Sequence, residues 1–240
     1  MDGPEPERSS SSRSANIARI EHVKTRRPAN EVEITLSDAS SFLVPAPVWT
    51  ESGLSEGTSL TPGQIELIVR EGNQYRIRSA AINLLARREH SRRQLVDKLA
   101  IRFGEEQLCR AVVDELAERG LQSDVRFAES WARHRIRSHP ESRTHLEMNL
   151  RSRGVPDSVA REAVESVLLQ DDLDERAMIR VLLEKWSHPE KRSPPESWSH
   201  RSDGSAKGRE ARLARLGFRR SDVEKELNRL AEQEGLENNG

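Results

Sequence analysis

Residues 79–128 read SAAINLLARREHSRRQLVDKLAIRFGEEQLCRAVVDELAERGLQSDVRFA, and their punctuation decides the fold. Three helix-length segments are parted by two short breaks. From Ser79 to Arg88, the apolar Ala81, Ile82, Leu84 and Leu85 recur at helical spacing. Ser91 stands as an N-cap, and Gln94 three residues on completes a capping box for a helix carrying Leu95, Val96 and Leu99. Gly104 ends that helix. From Glu105 onward, Leu108, Val112, Val113 and Leu116 form another apolar stripe, with acids in the first turn and Arg119 near the last carbonyls. Gly120 sits where a left-handed C-terminal residue is needed. Helices this short are not stable alone, so they must pack on one another and on the helices C-terminal to them.

The pattern restarts after Ala128. Phe127, Ala128, Trp131 and Ala132 stripe a helix that His139-Pro140 ends; Phe127 and Trp131, four apart, belong to its core face. Glu141 to Arg153 is a second helix, closed by Gly154, and Pro156 opens a third, with Val159, Ala163, Val164, Val167 and Leu168 on its buried face. A further unit places Leu173, Ala177, Val181, Leu182 and Trp186 on one stripe. Residues 187–208, rich in Ser, Pro, His and Glu, read as a flexible insertion. Helices resume over 209–216 and 221–230, the latter with a capping box of Ser221 and Glu224.

The segments KLAIRFGEEQLCRAVVDEL, NLRSRGVPDSVAREAVESV and RLARLGFRRSDVEKELNRL share one layout. Each has a Leu-bearing basic helix end, a glycine, a short turn and a helix of matching stripe. Phe103, Val155 and Phe218 put an apolar residue beside each glycine. The fold expected is mainly α: an elongated, curved tandem array of three three-helix repeats, over 76–122, 123–170 and 171–240. A small N-terminal module, 16–75, precedes it. There the EVEITL alternation and its neighbours give short antiparallel strands, ended by Pro45 and Pro47. Thr61, Pro62 and Gln64 then start a helix that stops at Gly72. Residues 1–15 form a disordered tail.

Charged residues make up 33% of the chain and aromatics 4%, which favours charge-laced helical layers over one thick core. The middle, 76–170, holds 18 basic against 14 acidic residues, and Lys98 is its only lysine. The N-terminal 75 residues hold 7 basic against 11 acidic ones. An arginine-rich face suits phosphate or carboxylate partners, and equally suits internal ion pairs. The single Cys109 reads as a small buried hydrophobe and fits a reducing cytoplasm. No apolar run approaches the roughly 20 residues of a membrane span.

Catalytic chemistry has little to stand on. His134, His139 and His145 lack zinc-site spacing with thiols or carboxylates, and no glycine-rich phosphate loop is present. The reading is of a protein without catalytic residues, metal or cofactor.

The series LLARREHSRRQLVDKL, then LAERG, then GLQSDVRFAESW, resembles RecX, the family of bacterial modulators of the RecA recombinase. Leu85, Arg88, Ser91, Gln94 and Leu95 match its first helix pair; Gly120, Asp124, Phe127 and Ala128 match its inter-repeat junction. LRSRGVPDSVAREAV and LARLGFRRSDVEKEL resemble its second and third repeats. Leu121, Gln122 and Ser123 depart from the family's aromatic, Leu and Asp. The resemblance implies a non-enzymatic, monomeric, cytoplasmic regulator of homologous recombination, DNA repair and the SOS response. It would lie along the groove of the RecA filament on DNA, with at most a weak DNA contact, opposing filament extension, ATP turnover, strand exchange and repressor cleavage. The candidate contact residues are arginines off the apolar stripes: Arg87, Arg88, Arg92, Arg93, Arg102, Arg126, Arg133, Arg135, Arg137, Arg143, Arg151 and Arg153. Arg133, Arg135 and Arg137 cannot share one helix face. Asp124 reads as an N-terminal cap. The alternative is a direct DNA-binding helix-turn-helix over 213–230, against which Glu224 and Glu226 weigh electrostatically.

Overall fold

The computed structural model describes residues 17–27, 30–187 and 206–237. The tail over 1–15, the Pro28-Ala29 turn and the body of the insertion assigned to 187–208 lie outside the described residues. The chain divides into two compact units, Met1–Ala81 and Ile82–Gly240.

In the first unit, β1 (Ala18–Arg26), β2 (Glu31–Leu36) and β3 (Ser41–Pro45) pair antiparallel, and the two-residue β4 (Ser59–Leu60) flanks β1, in the order β3-β2-β1-β4. The period-two alternation of EVEITL buries Val32, Ile34 and Leu36 on one face. They form the core with Ile20, Val44, Leu60 and Ile68. The prolines that end the sheet also begin a helix, α1 (Ala46–Ser52), with Pro47 in its first turn. The expected capping box opens α2 (Pro62–Leu85): Thr61 Oγ1 accepts from Gln64 N at 3.3 Å, and Gln64 Oε1 accepts from Thr61 N at 2.8 Å.

The expected stop at Gly72 is corrected by the structure. Helix α2 runs unbroken through it, so no separate helix begins at Ser79. Gly72 is buried, and a Cβ there would lie 3.1 Å from Pro45 Cδ. The glycine serves close approach of the helix to the β3–α1 corner, at the ordinary cost of glycine in a helix.

In the second unit, the end of α2 leads into α3 (Arg92–Phe103) and α4 (Glu106–Glu118). Beyond them lie α5 (Asp124–Ser138), α6 (Arg143–Ser152), α7 (Asp157–Gln170), α8 (Glu175–Ser187), α9 (Ala206–Arg215) and α10 (Arg220–Glu237). Helix α3 packs on α4; α5 and α6 pack on α7; α8 and α9 pack on α10. The chain is thus mostly helical in tandem three-helix repeats, behind a small N-terminal strand module. Ser91, Ser123 and Ser142 cap α3, α5 and α6, each side chain accepting from the backbone N–H three residues on. Helix α10 begins at Arg220, so Ser221 lies within it rather than capping it. One apolar cluster runs through α5–α10, from Phe127, Leu146 and Leu150 to Ile179, Leu213 and Phe218, and Trp131 packs against it. Cys109 is fully buried, and burial followed by the Glu105 charge pushes its thiol pKa up, as for an inert core residue.

Candidate functional site

The second helix of each repeat ends at a left-handed glycine: Gly104, Gly154 and Gly217, with φ of 75°, 84° and 81°. Two of these turns are sockets for the preceding repeat. At the first joint, Ser91 Oγ donates to Arg153 O at 2.6 Å, and the N–H of Arg92 donates to Asp124 Oδ1 at 2.7 Å. The second joint uses the corresponding positions with a backbone donor in place of the hydroxyl. Ser142 N donates to Leu216 O at 3.0 Å, and the N–H of Arg143 donates to Glu175 Oε1 at 3.0 Å. In both, the acid in the first turn of the next repeat satisfies an orphan N–H at a helix start. Asp124 therefore caps α3 rather than its own helix, whose cap is Ser123. Gln122, one of the departures from the family pattern, is buried and bridges Asp124 Oδ1 at 3.0 Å and His90 O at 3.2 Å.

The twelve candidate arginines divide by what their guanidinium groups touch. Arg126 is held by Glu89 at 2.9 Å and by the carbonyls of Gly120 and Leu121, each at 3.0 Å. Arg92 Nε lies 2.5 Å from Asp114, and Arg135 Nε lies 2.8 Å from the buried Glu141. Arg143 joins Glu147 and Glu165, which raise its pKa, and Arg151 joins Glu147 and Asp157. Arg133 bonds Gln170 at 2.8 Å, and Arg153 lies 4.6 Å from the centre of the Trp131 ring. These seven side chains are committed within the fold. Arg93 reaches Asp97 only at 3.9 Å, and Arg102 covers the Phe103 ring at 5.2 Å. Arg87, Arg88 and Arg137 are exposed and lack an ion pair among the described residues.

Arg88 belongs to a further group that the sequence reading left out. Lys98 stands near it, and the two charges, after burial itself, hold the pKa of His90 below the ordinary 6.5. His90 is buried and its Nδ1 has no partner. The unfolded chain binds the proton more readily, so stability is undiminished above pH about 6.5 and falls as the pH drops from there through the depressed folded-state value. Thermal melts at pH 7.5 and 5.5 are expected to show that loss, and His90→Gln to shrink it.

In the alternative helix-turn-helix, α9–α10, Arg220 faces Glu224 at 2.7 Å and Glu210 at 3.7 Å, and Arg229 faces Glu226 at 3.9 Å. Arg215 and Arg219 at its turn are exposed without an ion pair among the described residues. No group of three or more His, Cys, Asp or Glu side chains able to hold a metal occurs among the described residues.

A chain of like three-helix repeats, joined by recurring capped-helix contacts and carrying patches of uncommitted cations, is a helical repeat protein that offers surfaces. Family models agree: the first three-helix domain of RecX matches residues 78–116, and the second matches 123–164. The regulatory protein RecX of Treponema pallidum (strain Nichols) is 36% identical over 129 residues, covering 54% of this chain and 77% of that relative. That of Chromohalobacter salexigens is 46% identical over 88 residues, or 37% of this chain and 57% of its own length. That of Halorhodospira halophila is 38% identical over 109 residues, and the match spans 65% of its length. A crystal structure of regulatory protein RecX shares the fold at TM-score 0.61 and 20% identity, covering 86% of this chain and 97% of that one. This chain belongs to the RecX family.

Proposed function

We propose that this protein is a non-enzymatic modulator of the RecA recombinase, binding along the groove of the RecA filament on DNA in the cytoplasm. Bound there, it opposes filament extension, ATP turnover, strand exchange and RecA-assisted repressor cleavage. Membership in a family of regulatory proteins supports the reading, and the recurring joint carries it. Each of two joints sets a serine-capped helix start on the carbonyl before a glycine turn and on an acid in the first turn of the next repeat. Repeats held alike can present like surfaces to successive subunits of a helical polymer, and several weak contacts then add by effective concentration.

Contact falls to the cations that internal pairing leaves free, chiefly Arg87, Arg88 and Arg102, with Arg137 on α5. The direct experiment is ATP hydrolysis by RecA on single-stranded DNA, with and without the full chain. Turnover is expected to fall as the protein is added, and unchanged turnover would overturn the reading. Arg88→Glu should weaken inhibition at an unchanged melting temperature. Arg92→Glu should instead lower stability by about 1 kcal/mol, because it sets a carboxylate against Asp114 on a half-exposed pair.

A further inference from the structure

The glycine turn that closes the second helix of a repeat is a socket, and among the described residues the first repeat leaves its own empty. A Cβ at Gly154 would lie 2.5 Å from Arg93 Cδ, and one at Gly217 would lie 2.5 Å from both His145 Cδ2 and Ser142 Oγ. At Gly104 nothing among the described residues stands within 4 Å. The filled sockets show what the turn accepts: at Gly154 the aliphatic stem of an arginine, and at Gly217 a histidine ring beside a serine hydroxyl.

A second, independent observation falls on the same end of α3. Ile101 is 88% exposed, the highest value among the large hydrophobic side chains of the described residues. Lys98 neighbours Ile101 at i, i+3 spacing and Arg102 at i, i+4 spacing, and so stands between the two on the surface of α3. The charge of Arg88 acts on Lys98 as well as on His90. Lys98, Arg102 and Arg88 have no acidic partner among the described residues, in a unit where most arginines do. An uncovered aliphatic side chain among unneutralised cations is the counterpart of a segment whose acids surround an apolar residue. Interfaces place such apolar contacts at the centre and complementary charge around them. A phosphate backbone would use the cations and leave Ile101 in water.

We propose that Lys98, Ile101 and Arg102 on α3 dock an acidic segment of the partner protein, whose aliphatic or aromatic side chain covers Ile101 and the Gly104 turn. This rests on the reading of the RecA filament as partner, and it adds which chemistry of that partner is held. The test is binding of the full chain to RecA filaments on single-stranded DNA, and to the same DNA bare. Ile101→Ser is expected to weaken filament binding about tenfold, the effect of losing one buried aliphatic side chain, and Ile101→Leu to retain it. Lys98→Glu with Arg102→Glu should weaken it at least as much and flatten its salt dependence. Lys225→Glu, on α10, controls for charge alone and should bind as the wild type does. Unchanged melting temperatures keep these substitutions interpretable, since all the side chains are exposed. If the wild type binds filaments and Ile101→Ser binds equally well, the docking surface is refuted and the proposed function stands. Equal losses on bare DNA for the charge reversals would make phosphate the ligand and refute it too. A wild-type chain that ignores filaments removes the proposed function itself.

Discussion

Gly154→Ala is expected to destabilise the helical unit by about 3 kcal/mol, and Gly104→Ala by only about 1 kcal/mol. Both glycines hold a left-handed φ, 84° and 75°, so alanine meets backbone strain at either position. They differ in what the added methyl meets. At Gly154 it falls on Arg93 Cβ and lies 2.5 Å from Cδ; Cβ is fixed to the backbone of α3 and cannot swing away. The methyl therefore pries apart a joint in which Ser91 and Arg92 also bond to the next repeat, at 2.6 and 2.7 Å. At Gly104 the methyl meets none of the described residues. For a unit of this size, the larger loss corresponds to a melting temperature lower by roughly 6–12 °C. Equal, small shifts for the two variants would mean that the glycine sockets do not hold the repeats together.

Glu226→Ala is expected to cost about 2 kcal/mol. Glu226 is a buried carboxylate on α10, 2.8 Å from Arg176 and 3.2 Å from Arg180, both on α8. Breaking a fully buried pair costs more, because it strands a charge away from water. Here the stranded partners are arginines with side chains 44% and 38% exposed, which water re-solvates in part. Glu226→Gln keeps an acceptor for Arg176 and should lose about half as much. Urea melts of the three proteins order them, and an alanine variant as stable as the wild type would show that packing alone joins α8 to α10.

The α3–α7 segment was legible in the sequence because its signals are local. Ser91 caps within three residues, and Gly104, Gly120 and Gly154 mark left-handed ends, whereas the cap Ser142 lies inside a helix expected to start at Glu141. Gly72 misled for the opposite reason. Its small size answers to Pro45, 27 positions away, and nothing local separates a close-approach glycine from a helix stop. Strand β4 is two residues long and too short to show a period. Ser221 and Glu224 have capping-box spacing, yet the chain turns into α10 one residue earlier. The candidate surface was the least legible part. Arginines 133, 135 and 137 read alike in sequence, but the first meets Gln170, the second Glu141, and the third remains exposed. Which guanidinium is spent internally depends on acids far along the chain. Ile101 could have been found from its place off the Leu95–Leu99 stripe, and Lys98 as the lone lysine of an arginine-rich stretch.

Two kinds of partner remain physically distinct, a protein polymer and bare nucleic acid. Contacts with phosphate alone weaken steeply and linearly in log salt, whereas a surface with an apolar centre keeps part of its affinity. The deciding measurement is a salt titration of the full chain against RecA filaments on single-stranded DNA, alongside bare single-stranded and duplex DNA. The account predicts binding to filaments that persists at physiological salt, with bare DNA bound far more weakly. Tight, steeply salt-dependent binding to bare duplex, matched or exceeded nowhere by the filament, would contradict it.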